Sequence, residues 1–198
     1  YLGLDTSKVK VTLPDSKEDT ILKVDRLLEG ADKNKPNLMI APATTWNNKH
    51  WDRENWKKLI KEIDKEKFNL VFLGTKSDIE LIEEIKADAP CINLAGKTNL
   101  SELIEVLRRS DILISLDSGS THLAWATGKP KIISIFCSTP KERYNPLGVR
   151  HISLSGNLKC QPCHRKKCPL KTDGCTKFPS VEEVLDALFE IERSFLNE

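Results

Sequence analysis

The sequence predicts an α/β fold in which helices cover both faces of a doubly wound parallel sheet. Short apolar runs alternate with amphipathic segments along most of the 198 residues, as in repeated strand–helix units. Residues 70–73 and 131–136 are apolar at nearly every position, which is typical of strands buried on both faces. Gly74 and residues 117–120 directly follow two such runs, where strand-to-helix turns are expected.

The first part of the chain, residues 1–36, is predicted to be an interdomain segment. Its alternating residues 9–13 predict a strand, and the apolar spacing over residues 21–28 predicts a helix. The chain begins with Tyr1 in a stretch without initiation or signal character, so we expect that an upstream domain precedes it.

The repeated strand–helix units are predicted to form a domain of residues 37–198. The predicted elements are strands at 38–40, 69–73, 91–94, 112–115 and 131–136, and helices at 53–65, 77–87, from Asn99 or Ser101, and at 121–127. After residue 148 the pattern changes to a Cys- and Lys-rich loop, residues 157–177. A last amphipathic helix is predicted at 180–196, with Ser180 and Glu183 as its capping box.

Composition excludes several classes of protein. Hydrophobic residues make up 39% and charged residues 30%, a balance typical of globular chains. Lys and Arg total 31 against 29 for Asp and Glu, so overall charge favours neither nucleic acid nor an anionic membrane. No run approaches the roughly 20 apolar residues of a membrane-spanning helix. Four of the six cysteines crowd into one loop, a pattern that favours a reducing compartment.

Three loops are candidates for ligand binding, because open parallel sheets bind ligands beyond the carboxyl ends of their strands. They are residues 41–51, 74–78 and 116–122. In the third loop, backbone N–H groups at a helix start can hold phosphate, and Gly119 lets the backbone approach closely. Its hydroxyl donors are Ser118, Ser120 and Thr121. An ordinary capped helix without a ligand is the alternative.

Other polar and aromatic side chains are less specific by themselves. Lys49 could counter the charge of a diphosphate or be a solvated loop lysine. His122 could donate to a phosphate or pack in the core. The tryptophans could stack on a base or sugar, or anchor a helix to the sheet. They are Trp46, Trp51 and Trp56.

Four segments together resemble the ADP-heptose:lipopolysaccharide heptosyltransferases. They are Thr44-Thr45 with Lys49-His50-Trp51, the run Asp117-Ser118-Gly119-Ser120-Thr121-His122-Leu123-Ala124, then Asn145-Pro146-Leu147-Gly148, and Cys160-Gln161-Pro162-Cys163 followed by Cys168-Pro169-Leu170. The resemblance extends over roughly residues 38–188. It implies the C-terminal, Rossmann-like donor-binding domain of a two-domain GT-B glycosyltransferase.

The resemblance also implies roles for individual residues. Thr44, Thr45 and Lys49 would form the first donor loop, with Thr45 and Lys49 on the diphosphate. Ser118 and Gly119 would supply phosphate contacts. Asp117 would accept hydrogen bonds from heptose hydroxyls, and His122 would support the same site. Asp78 lies near the position where relatives hold the ribose with a carboxylate, and Thr98 lies near the segment that lines the adenine.

By this resemblance the protein transfers heptose from ADP-heptose to the lipopolysaccharide inner core, with inversion. The base would be a carboxylate of an N-terminal domain that also binds the lipid A–Kdo or inner-core acceptor, so this fragment alone would be inactive. Charge on departing ADP can be neutralised by Lys49 and the helix start, so no metal is required. A cytoplasmic location, with peripheral contact at the inner membrane, is implied. A UDP-sugar enzyme of the same fold is the nearest alternative.

The four-cysteine loop leaves alternatives open. The thiols of Cys160, Cys163, Cys168 and Cys175 could close a structural Zn²⁺ site, although only the first pair has finger-like spacing. Disulfides and free thiols are the other possibilities. Residues 157–177 contain six Lys or Arg and one Asp, a patch that suits either an acceptor's phosphates or solvent. A zinc-loop nucleic-acid module lacks the expected interleaved aromatics, so we expect no nucleic-acid partner.

Overall fold

A computed structural model describes residues 11–146 and 151–195. In those residues the chain forms one six-stranded, all-parallel sheet of order β3-β2-β1-β4-β5-β6. The strands are β1 Asn37–Ala41, β2 Asn69–Phe72, β3 Ile92–Asn93, β4 Ile112–Leu116, β5 Lys131–Phe136 and β6 His151–Ser155. The predicted doubly wound parallel sheet is confirmed. Of the strand predicted at residues 9–13, residues 9–10 lie outside the described residues, and residues 11–13 do not form a strand.

Helices follow the strands in the predicted alternation. They are α1 Glu18–Leu27, α2 Arg53–Glu62, α3 Ile79–Lys86, α4 Leu100–Arg108, α5 Gly119–Thr127, α6 Lys141–Tyr144 and α7 Val181–Phe195. The capping box that begins α4 is formed by Asn99 and Glu102, whose side chains each accept from the other's backbone N–H. Ser180 and Glu183 make the same exchange before α7.

The sixth strand, β6, was not predicted from the sequence. Its residues His-Ile-Ser-Leu-Ser are only half-buried, and they pair with β5 at the edge of the sheet. An edge strand needs less apolar surface than a central one, so the polar residues of β6 made this segment resemble a loop in the sequence. The short helix α6, which follows β5, was also missed.

Alternation along β1 shows how the sheet divides the core. Leu38 and Ile40 belong to the cluster that packs under α2, α3 and α7. Met39 and Ala41 belong to the cluster on the opposite face, with residues of α1, α4 and α5. Successive side chains of a strand point to opposite faces, so a strand covered on both sides must be apolar throughout.

Helix α1 packs directly on the domain that contains the sheet. Val24 is fully buried, and Lys23 Nζ lies 2.8 Å from Glu102 Oε1 of α4. Arg109 Nη1 lies 2.7 Å from Asp25 Oδ1. The helix within the predicted interdomain segment 1–36 is therefore part of the same packed body as the sheet.

Candidate functional site

A cleft of about 980 Å³ opens at the carboxyl edge of the sheet. Its position agrees with the prediction, because the loops after β1, β2 and β4 meet there. All the predicted substrate-binding residues except Thr121 line it, namely Thr44, Thr45, Lys49, Asp78, Thr98, Asp117, Ser118, Gly119, Ser120 and His122. Strands β1 and β4 are neighbours, and this order brings together loops that are far apart in sequence.

An ion pair between Lys49 and Asp117 lies at the centre of the cleft. Lys49 Nζ is 2.9 Å from Asp117 Oδ2, and the two side chains are only 13% and 7% exposed. Thr139 Oγ1 donates to the same carboxylate oxygen at 2.7 Å. Thr44 Oγ1 donates to the backbone carbonyl of Asp117 at 3.1 Å. Lys49 is therefore held by a buried partner and is not a solvated loop lysine.

Thr139 is a site residue that sequence reasoning missed. It follows β5 within the short segment 137–139, so it reaches the same carboxyl edge as the predicted loops. The position of Thr139 just after the last long apolar strand was the sequence signal that could have identified it.

The turn after β4 has the features of an anion site. Ser118 is the extended residue before α5, and its buried hydroxyl has no hydrogen-bond partner among the described residues. A Cβ added to Gly119 would meet no heavy atom within 4 Å, so open space faces the backbone there. The first turn of α5 contains no acidic residue. An anion at this turn would meet N–H groups at the positive end of the helix dipole.

The assignment of Thr121 as a cleft residue was wrong. Its hydroxyl donates to the Leu116 carbonyl at 2.7 Å and lies 2.7 Å from Ser115 Oγ. The side chain is 1% exposed, because this position of the first turn of α5 faces the sheet. His122, one position later, is exposed in the cleft rather than packed in the core.

The opposite end of the cleft, after β2 and β3, is more open and partly apolar. Thr75 donates to Asp78 Oδ2 through both its backbone N–H and its hydroxyl, each at 2.7 Å. Thr98 lines this end as predicted. Leu100 is 64% exposed there, and Leu103 lies beside it, so an apolar wall that the sequence did not indicate is available to a flat ring.

The three candidate tryptophans divide into two groups. Trp51 and Trp56 are buried and meet edge to face with ring centroids 5.0 Å apart. They anchor α2 to the sheet, which confirms the structural alternative for both. Trp46 lines the cleft, and Lys49 Nζ lies 5.2 Å from its ring centroid.

The four cysteines of the possible zinc site lie together in the cysteine-rich loop. Within residues 11–146 and 151–195, no three His, Cys, Asp or Glu side chains are grouped as a metal ion requires. All four are free thiols around a cavity of about 20 Å³. Hydrogen bonds from backbone N–H groups lower the pKa of Cys168, and that of Asp173 has the largest effect. Burial raises the pKa of Cys175 to about 11. Cys160, Cys163 and Cys168 also lie near enough to Cys175 to raise its pKa.

Comparison with known proteins adds independent findings. The family model "Glycosyltransferase family 9 (heptosyltransferase)" matches residues 1–173. Lipooligosaccharide heptosyltransferase 2 of Campylobacter jejuni is 31% identical over 156 residues, which cover 75% of this chain and 49% of that protein. Lipopolysaccharide core heptosyltransferase OpsX of Haemophilus influenzae is 29% identical over 136 residues, 67% of this chain and 38% of that protein. The chain spans about half, or less, of the curated relatives it matches.

Solved structures share the fold. Escherichia coli ADP-heptose heptosyltransferase II superposes with a TM-score of 0.75 at 18% identity, over 95% of this chain and 55% of that one. An iron-containing dodecameric heptosyltransferase, TibC, superposes with a TM-score of 0.64 at 20% identity, over 83% of this chain and 47% of that one. No described helix combines the length and apolar character needed to span a bilayer. Together with the family match over most of the chain, the parallel sheet and its cleft identify this chain as a member of glycosyltransferase family 9.

Proposed function

We propose that this chain is the donor-binding half of a heptosyltransferase that transfers heptose from ADP-heptose to the lipopolysaccharide inner core. The observation that carries the proposal is the Lys49–Asp117 ion pair beside the Ser118 turn, where a cation, an unpartnered hydroxyl and a helix start converge. That combination suits a diphosphate joined to a sugar. The acceptor half of the GT-B fold would be a separate domain.

Each part of the donor has a matching part of the cleft. The apolar wall of Leu100 and Leu103 suits the adenine, and the remaining oxygen of Asp78 suits a ribose hydroxyl. The diphosphate lies between Lys49 and the start of α5. Asp117 holds Lys49 and Thr139 through Oδ2, which leaves Oδ1 to accept from a heptose hydroxyl.

In the proposed reaction, an acceptor hydroxyl attacks the anomeric carbon of heptose from the face opposite the diphosphate. The carbon–oxygen bond to the β-phosphate breaks, and its electron pair leaves with ADP. Lys49 and the N–H groups of α5 stabilise the charge that develops there, so the chemistry needs no metal. A carboxylate of the acceptor domain takes the hydroxyl proton, and the isolated chain therefore binds donor without transferring heptose.

Adenine is favoured over uracil by two solved neighbours, since the Escherichia coli heptosyltransferase WaaC was solved with ADP and TibC was solved with ADP-heptose. The acceptor would be lipid A–Kdo or inner-core lipopolysaccharide, met at the cytoplasmic face of the inner membrane. The basic loop 157–177 would lie toward that surface.

Calorimetric titration with ADP, UDP and a single-stranded oligonucleotide tests the proposal. We expect ADP to bind best. Lys49→Ala should weaken ADP binding roughly ten- to a hundredfold, because a charged contact of about 1.5–3 kcal/mol is lost. Lys57→Ala removes the same charge from a surface pair outside the cleft and is the matched control. Tighter binding of UDP or oligonucleotide, or equal ADP affinity in the two variants, would contradict it. Heptose transfer by the isolated chain would refute only the claim that it is inactive.

A further inference from the structure

The cysteine-rich loop reaches the cleft through one residue, His164. This exposed side chain lines the cleft, although the loop lies beyond β6 at the edge of the sheet. Its backbone N–H donates to the Ser138 carbonyl at 2.7 Å, which ties the loop to the segment after β5. The loop therefore has a place in the site that its cysteines alone do not explain.

Three aromatic side chains meet at this end of the cleft, and we call them the aromatic rim: Trp46, Tyr144 and His164. The ring centroids of Trp46 and His164 are 5.7 Å apart, and those of Tyr144 and His164 are 5.5 Å apart. Tyr144 Oη lies 3.0 Å from His164 Nε2. The rings come from segments that follow β1, β5 and β6, so the parallel sheet assembles them from three distant parts of the chain.

The rim is also cationic. Lys166 Nζ lies 5.7 Å from the Trp46 centroid, and the Arg143 guanidinium lies 5.3 Å from that of Tyr144. Neither cation is ion-paired to a carboxylate within residues 11–146 and 151–195. Glu142 is an exposed acidic neighbour in sequence, and Asp117 is already paired with Lys49. Two cations at the rim thus remain available to an anion.

Strand order fixes where the rim lies relative to the donor. The nucleoside end follows β3 and β2, the proposed diphosphate site follows β1 and β4, and the rim extends to β5 and β6. Along the donor, the base is followed by the diphosphate and then by the transferred sugar, so the rim lies beyond the transferred sugar. The acceptor sugar, which receives the transfer, is the group that lies next to the anomeric carbon there.

We propose that the aromatic rim is a subsite for an anionic sugar ring of the acceptor. Aromatic faces stack against the apolar face of a sugar, and Tyr and His exchange hydrogen bonds with its hydroxyls. Lys166 and Arg143 attract its carboxylate or phosphate. A neutral transferred sugar would gain nothing from these two cations, so the charge favours the acceptor over the donor. This inference rests on the proposed function, because that function places the donor sugar.

The test uses the whole chain saturated with ADP, so that the site at Lys49 is filled and added anions report on the rim. Two probes differ only at one carbon: methyl β-glucuronide, which carries a carboxylate, and methyl β-glucoside, which does not. Saturation-transfer NMR should show binding of the glucuronide in preference to the glucoside. Equal signals from the two probes would overturn the anionic assignment.

Neighbouring lysines provide a matched pair of variants. Lys166→Ala should weaken glucuronide binding about twofold to fivefold, the effect of an exposed charge pair, whereas Lys167→Ala should leave it unchanged. His164→Asn should weaken it about tenfold through the lost ring, and Asn tolerates the positive φ of 50° at this position. ADP affinity should be the same in all three variants.

The outcomes separate this inference from the proposed function. If ADP binds but no variant alters glucuronide binding, the rim is not the subsite and donor binding stands. The same holds if Lys166→Ala and Lys167→Ala weaken glucuronide binding equally. If a rim variant weakens ADP-heptose binding instead, the rim contacts the donor sugar and the inference is wrong. If wild-type protein does not bind ADP, the proposed function itself fails.

Discussion

The two ends of the cleft hold their polar groups in different ways. At the proposed diphosphate end, Lys49 and Asp117 are almost buried and already paired, and Thr139 also donates to the carboxylate. At the proposed nucleoside end, Leu100 is mostly exposed, and the Asp78 carboxylate is held only by the neighbouring Thr75 among the described contacts. A preformed site loses little freedom when its ligand arrives. Substitutions of the paired side chains at the first end should therefore change stability and affinity together, and those at the second end affinity alone.

The largest effect on stability is expected from Lys49→Ala. Removal of the ammonium leaves the Asp117 carboxylate with Thr139 as its remaining side-chain partner. We expect the free energy of unfolding to fall by about 2 kcal/mol, below the roughly 3–5 kcal/mol of a fully buried pair, because the cleft admits water. Urea denaturation without ligand measures it. Lys57→Ala, at an exposed pair, should have a far smaller effect, and equal losses would mean that the two pairs do not differ.

Thr139→Val tests the hydrogen bond to the same carboxylate with little change in side-chain volume. The free energy of unfolding should fall by about 1.5 kcal/mol, since a hydrogen bond to a charged, buried acceptor is lost. Thr176→Val, which removes an exposed hydroxyl bond to a backbone carbonyl, should change it by less than about 0.5 kcal/mol. A Thr139 variant as stable as the wild type would show that water replaces the hydroxyl.

Gly119→Val should separate affinity from stability at the diphosphate end. The added side chain meets no protein atom at its first carbon, so the thermal midpoint should be unchanged. It occupies the space in which phosphate would approach the backbone, so ADP affinity should fall about tenfold, or about 1.4 kcal/mol. Calorimetry with ADP measures this, and circular dichroism is the folding control. Undiminished affinity would mean that the diphosphate does not contact this turn.

The smallest effect is expected from Leu100→Ala at the nucleoside end. The exposed side chain contributes little to folding, so the free energy of unfolding should change by less than about 0.5 kcal/mol. Loss of apolar contact with adenine should weaken ADP binding about threefold and leave pyrophosphate binding unchanged. If pyrophosphate binding also falls, Leu100 shapes the whole cleft and the two ends are not independent.

Much of the fold could be predicted because its signals are local. The apolar runs of β1, β2, β4 and β5 and their alternation with helices were sufficient for a doubly wound sheet. Strand β6 could not be recognised, because half-burial at an edge permits polar residues. The position of α1 could not be predicted either, because the sequence pattern indicates an amphipathic helix but not the surface on which it packs.

The candidate site was predictable to a similar degree. Loop position and resemblance selected Lys49 and Ser118 correctly as cleft residues, because both follow strands whose carboxyl ends share one edge. Thr121 was misplaced, because a step of one residue around a helix turns a side chain from the cleft to the core. Thr139 and His164 were missed, since neither carries a motif and each reaches the cleft only through strand order.

The sequence by itself determined the strand–helix alternation, the capping boxes at Asn99 and Ser180, and the turn at 117–120, since these depend on residues within one or two turns of each other. Only the tertiary structure decided that Lys49 pairs with Asp117, that the four cysteines surround one small cavity, and that the cysteine-rich loop brings His164 to the cleft. Those contacts join segments that meet only after the sheet orders its strands, and no local pattern encodes the distance between them.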